Sequence, residues 1–201
     1  MHRRLVLFGG CAALLGGCAR NWVVDHGAPL DPALAQTWNV TDVQTYVPND
    51  LTVSNANTLA PNADIVWHGE PFGNRAEQVA RIVEEGIERG SSGLTGPRSV
   101  IISASLREFH AVTPAAVSQS PGAVHNIRYN AQVFDASTGV PLTEPVSITA
   151  DLEAYVQAAA VTAAIDGNTQ RNRIVGHLSR VTQSWLGVGP DQRREFRSIG
   201  R

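Results

Sequence analysis

The chain has 201 residues, 43% hydrophobic and 17% charged, enough apolar material for one folded core and too much for wholesale disorder. Its formal charge is −2, with 16 basic residues, all of them Arg, against 18 acidic ones. That mildly acidic balance offers no electrostatic footing for nucleic acid.

The N-terminus opens with the basic Met1-His2-Arg3-Arg4 and continues as an apolar run from Leu5 to Leu15, broken by Gly9 and Gly10. A charged start, a short apolar stretch and small residues at its end form the pattern of a secretory signal. The run is too short to span a bilayer, which takes roughly 20 apolar residues. It ends in Leu15-Gly16-Gly17-Cys18, which resembles the lipobox of bacterial lipoproteins.

The resemblance implies cleavage before Cys18, with Leu15, Gly16 and Gly17 read by the signal peptidase and lipid attached to the Cys18 thiol. Two or three acyl chains hold a protein firmly on a membrane, where one holds it only marginally. Residues 1–17 are then a discarded leader. Losing Arg3 and Arg4 with it makes the remainder more acidic. Cys11 leaves with the leader and Cys18 is acylated, so the body holds no free thiol and no disulfide. The second residue after the cut is Ala19 rather than an inner-membrane-retaining Asp. The expectation is an outer-membrane anchor facing the periplasm, and no cofactor other than the lipid itself.

Residues 18–37 contain Gly27, Pro29 and Pro32 and no sustained period, and are read as a lipidated tether. Trp22-Val23-Val24 within it suits either the membrane interface or packing on the domain. A strand pattern runs from Trp38 to Val47, and a short second one covers Asp64 to His68. Asn74 is an N-cap with Glu77 in the capping-box position. The helix it opens repeats Val79, Val83 and Ile87 and stops at Gly90.

Ser99 to Phe109 alternates as a strand, Val124 to Phe134 is another, and Asp135 to Gly139 is the tight turn after it. Val146 to Ala154 is a further strand. Residues 158–165 are Ala-rich and fit helix or loop equally. The last helix runs from about Thr169 to Leu186 on an apolar stripe of Ile174, Leu178, Val181 and Trp185, and Gly187 ends it. Residues 188–201 read as a flexible Arg-rich tail.

The order β-β-α-β-β-β-α predicts an α+β domain over 38–187. Its two layers would be a largely antiparallel sheet of four to five strands and two main helices on one face.

No phosphate loop, nucleophile elbow or His-Glu-x-x-His stands in the chain, so the sequence carries no catalytic signature. His110 and His125 flank a loop and are weak metal candidates, because zinc wants three or four ligands. The expectation is solvated histidines at a loop edge. Arg173, His177, Arg180 and Ser184 form a polar stripe on the last helix. With Arg193, Arg194 and Arg197 of the tail it is a candidate surface for an envelope protein partner.

Asp64-Ile-Val-Trp67, Phe109-His110, Asp135-x-x-Thr-Gly139 and Trp185-Leu186-Gly187 make the chain similar to small uncharacterised lipoproteins of alphaproteobacteria. The resemblance implies location and a two-layer fold, not a mechanism. A non-enzymatic, partner-binding envelope component is the expected role. The alternative is a ligand-binding or transport-accessory lipoprotein, and a hydrolase comes third.

Overall fold

The computed structural model describes residues 21–198. The leader and the lipobox residues Leu15, Gly16, Gly17 and Cys18 lie outside the described residues, as does Arg201.

Among the described residues, nine strands form one sheet and five helices accompany them. In chain order the elements are β1 (Asn21–Asp25), α1 (Pro32–Ala35), β2 (Trp38–Tyr46), β3 (Val53–Ser54), β4 (Ile65–Val66) and α2 (Arg75–Ser91). Then come β5 (Arg98–His110), α3 (Pro114–Gln119), β6 (Val124–Asp135), β7 (Val146–Ala150) and β8 (Leu152–Glu153). Helices α4 (Gln157–Ile165) and α5 (Gln170–Trp185) precede β9 (Arg194–Arg197). The α+β expectation holds. The order β2-β4-α2-β5-β6-β7-α5 runs through it as its frame, with more strands than the four to five expected.

The sheet runs β3-β4-β5-β6-β7-β1-β9, with β2 beside β5 and β8 beside β6. Pairs from β5 to β9 are antiparallel, as hairpins and meanders require, whereas β2, β3 and β4 join parallel. The parallel pairing of β2 and β4 with β5 follows from α2, which precedes β5 in the chain and returns it to the same end of the sheet.

Helix α2 starts where its cap predicts, with the Asn74 side chain accepting the Glu77 amide at 3.3 Å and donating to the Glu77 carboxylate at 2.7 Å. It does not stop at Gly90 but runs through it to Ser91. Gly86 and Gly90 are there for contact with α5. A methyl group at Gly86 would stand 2.5 Å from the Leu178 Cβ, and one at Gly90 2.6 Å from the Ser179 carbonyl oxygen.

Under this helix pair the core gathers Val79, Ile82, Val83, Ile174, Leu178 and Trp185 with Ile102, Leu106 and Ile148 of the sheet. A bulge between Leu106 and Glu108 shifts the register of β5 and turns Phe109 inward, edge-on to Trp67 at 5.9 Å.

Two stretches read as flexible from sequence are parts of the sheet. Asn21–Asp25 is not a tether: β1 lies between β7 and β9, with Trp22 and Val24 buried. Of the two readings of Trp22-Val23-Val24, packing on the domain is the observed one. Arg194–Arg197 is not a flexible tail either, because it pairs with β1 as an edge strand. Each segment is short, and its partners lie far along the chain, so local pattern carries no trace of the pairing. Residues 158–165 resolve as helix within α4.

The turn after β6 follows its expected chemistry. Asp135 Oδ1 accepts the Ser137 and Thr138 amides, each at 3.0 Å, and Gly139 takes a positive φ of 69°. Hydrogen bonds from Ser137, then the Arg98 guanidinium, hold the Asp135 carboxyl well below the usual carboxylate range.

Candidate binding site

The stripe Arg173, His177, Arg180 and Ser184 was expected to face water, and half of it does not. Helix α5 has apolar contacts on both flanks, so its buried sector reaches from Ile174 round to Ser184. His177 lies against the backbone of Ala150 and Asp151. Burial first, then Arg180 and Arg194, push its pKa down to about 4, so the ring is neutral. Ser184 Oγ accepts the Gln192 amide at 2.9 Å and lies 2.7 Å from His26 Nε2.

His26 and Ser184 come from opposite ends of the chain, a pairing that no sequence spacing signals. The pair is not a nucleophile with its base. Both residues are buried, His26 Nδ1 meets no carboxylate, and burial and Arg193 lower the ring's pKa. It ties the segment before β9 to the first strand.

Arg180 is exposed and Arg194 joins it from β9, both near His177. Among the described residues neither has a carboxylate within ion-pair distance, and Arg194 stacks on Phe196 at 5.6 Å. Arg173 is spent locally: it donates to the Glu153 carbonyl at 2.7 Å and lies 3.4 Å over the Tyr155 ring. Arg193 is also engaged, by Asp191 at 2.7 Å. Arg197 stands opposite Asn21 in the ladder. The expected basic set therefore splits. Arg180 and Arg194 gather beside His177, while Arg173, Arg193 and Arg197 belong to other contacts.

His110 and His125 are not solvated loop-edge residues; both are buried, because α3, α4 and the segment before β4 close over that end of the sheet. His110 Nδ1 is 3.1 Å from the Ala63 carbonyl. His125 Nδ1 accepts the Val112 amide at 3.3 Å, so the ring proton resides on Nε2. Burial above all, then Arg173, His177 and His110, press its pKa down to about 3. Glu108 is paired with Arg128 at 2.6 Å. Among the described residues no three His, Cys, Asp or Glu side chains are arranged to hold a metal ion.

His125 lines a cavity of about 180 Å³ roofed by α4, with Val112, Val117, Ala160, Ala163 and Arg173 around it. Its Nε2–H is buried without a partner, the kind of group that a ligand acceptor would satisfy. A largely apolar chamber with the His125 donor, a guanidinium and the polar side chains of Asn168, Thr169 and Gln170 in its wall can hold a small apolar group that ends in an oxygen. Sequence reasoning missed this chamber. Its one advance signal was the charge-free run from Ala154 to Ile165.

Among solved structures the chain is similar to protein XCC0632 from Xanthomonas campestris, with 16% identity over 79% of this chain and 88% of that one and a TM-score of 0.45. It is also similar to the PelC dodecamer from Paraburkholderia phytofirmans (11%, 82% and 95%, 0.37) and to a minor lipoprotein from Acinetobacter baumannii (9%, 77% and 97%, 0.31). At these scores the likeness carries no statement about what this chain does. No curated protein matches it. A family model does, over residues 38–201, and the chain accordingly belongs to that family of unknown function, DUF6778.

Proposed function

We propose that this protein is a lipoprotein, acylated on Cys18 and held on the outer membrane facing the periplasm. Its role there is non-enzymatic: it binds an acidic protein partner through the face built by α5 and β9. The observation that carries the reading is the pair Arg180 and Arg194. The turn after α5 folds β9 back so that two guanidinium groups share one surface, beside a neutral imidazole, with no carboxylate of the described residues within ion-pair distance of either. Complementary charge of this kind steers association and selects partners.

The anchor gives the face its setting. Cys18 stands three residues before β1, and three extended residues reach at most roughly 10 Å. The folded body is therefore held at the membrane surface, not at the end of a long tether.

The test is site-specific photo-crosslinking in cells at positions 180 and 194, with position 88 on α2 as an exposed control. One discrete adduct at both test positions is expected, lost on charge reversal by Arg180→Glu with Arg194→Glu. No adduct from an acylated, folded protein would exclude a partner on this face. A second reading, binding of a small ligand, has the unpartnered His125 Nε2–H in its favour.

A further inference from the structure

Three segments of the chain lack Asp, Glu, Lys and Arg altogether: residues 51–63, 109–127 and 154–165. They are distant in sequence and meet at one end of the molecule. Thr113 Oγ1 donates to the Thr58 carbonyl at 2.7 Å, and the Ala115 amide donates to Asn57 Oδ1 at 2.8 Å. Gln157 Nε2 donates to the Ser120 carbonyl at 3.1 Å, joining α4 to the segment after α3.

Helix α4 forms the outer part of this end, and none of its nine residues is buried. Leu59, Tyr155, Val161 and Ile165 are all exposed, Ile165 at 80%. A helix apolar all round is ordinarily buried, and a surface helix ordinarily turns a charged face to water. This one does neither. An exposed apolar cluster without charge marks a contact surface.

Trp22 Nε1 donates to the Ser198 carbonyl at 3.1 Å, and Ser198 Oγ lies 3.2 Å from the Glu153 carboxylate. Glu153 in turn accepts Arg173 on its carbonyl, and Arg173 lies over Tyr155, two residues before α4 begins. The start of β1 and the start of α4 therefore share one end of the molecule.

We propose that this end, with α4 at its tip, is a membrane-docking face that seats Val161 and Ile165 in the interfacial region of the bilayer beside the lipid on Cys18. The proposal rests on the lipoprotein reading above. An anchor only three residues from β1 holds this end, with its three charge-free segments, next to the lipid surface. Apolar side chains on a helix at that depth add to the hold of the acyl chains. The body is then fixed in orientation as well as in place, and the α5–β9 face is presented in a defined direction.

The test uses the mature acylated protein in vesicles of phosphatidylethanolamine and phosphatidylglycerol, with Val161→Cys, Ile165→Cys and Ser92→Cys as single variants. Ser92 is an exposed residue that follows α2, beyond the far end of the helix pair from α4. Each cysteine carries an environment-sensitive dye. Brominated lipids should quench the dye at 161 and 165, and aqueous dithionite should reduce it there at least about fivefold more slowly than at 92. Equal accessibility at all three positions would overturn the proposal. So would protection at 161 and 165 without lipid quenching, the result a second copy or another protein on this face would give. Intact mass keeps the two readings apart. An acylated protein with accessible α4 sinks the docking alone, whereas an unmodified Cys18 sinks the lipoprotein reading and the docking with it.

Discussion

Protonating His125 or His177 would put a charge where burial removes water and the nearest ionic groups are Arg173, Arg180 and Arg194. An unfolded imidazole takes its proton near pH 6.5. In the folded protein His177 waits until about pH 4 and His125 until about pH 3. The sign follows from proton count. Above about pH 6.5 neither state binds the proton and stability is whole; below it the unfolded chain binds protons that the folded one refuses. Stability should therefore fall as pH drops from about 6.5 towards 4, on the order of 1 kcal/mol per pH unit for each ring. Urea midpoints at pH 7.5 and 5.0 measure this, and identical midpoints would contradict the buried, neutral rings. His125→Gln combined with His177→Gln should flatten most of the slope in this window. From sequence alone these histidines read as wet, because a loop edge and a polar helix stripe are ordinarily solvated. Only the elements packed against them, α3 and α4 over His125 and the end of β7 against His177, decide otherwise.

At the scale of elements, α2 shows how far local pattern reaches. Its start at Asn74 is legible, because a cap is chemistry between residues three apart. Its end is not. Gly90 looks like a stop signal, yet the helix runs on to Ser91, and the glycine serves the close approach of α5, where no side chain fits. Gly90→Ala should destabilise the fold by about 1–3 kcal/mol through overpacking, exceeding the roughly 1 kcal/mol gained in helix propensity. Gly93→Ala, where an added methyl meets nothing within 4 Å, is the matched control and should change stability little. Thermal or denaturant unfolding of both variants checks this. Equal stability for the two would mean that α2 and α5 are not in contact at Gly90. Helix α4 makes the complementary point. Its Ala-rich sequence has helix propensity and no periodic face, so sequence leaves it between helix and loop, and the structure places it on the outside.

For the whole molecule, the largest revision concerns the two ends of the described chain. Asn21–Asp25 and Arg194–Arg197 close the sheet against each other, with Trp22 reaching Ser198 and His26 reaching Ser184. Amide hydrogen exchange should accordingly find Val23 and Val24 protected to a degree comparable with β7, since both strands are buried on their inner side. Exchange at 21–25 as fast as in an unstructured chain would restore the tether reading and loosen the case for a body held close to its anchor.

The division between what was readable and what was not has one physical cause. The α+β class, the capped start of α2, the apolar stripe of α5, the alternation of β5 and β6 and the Asp135 turn all depend on residues within a few positions of one another, so periodicity and turn chemistry expose them. The burial of His125 and His177, the meeting of His26 with Ser184 and the convergence of three uncharged segments at the end that carries α4 involve partners tens to more than a hundred residues apart. Such contacts leave no mark on the short-range pattern of either partner. Packing alone creates them, and with them every surface on which the proposed roles depend.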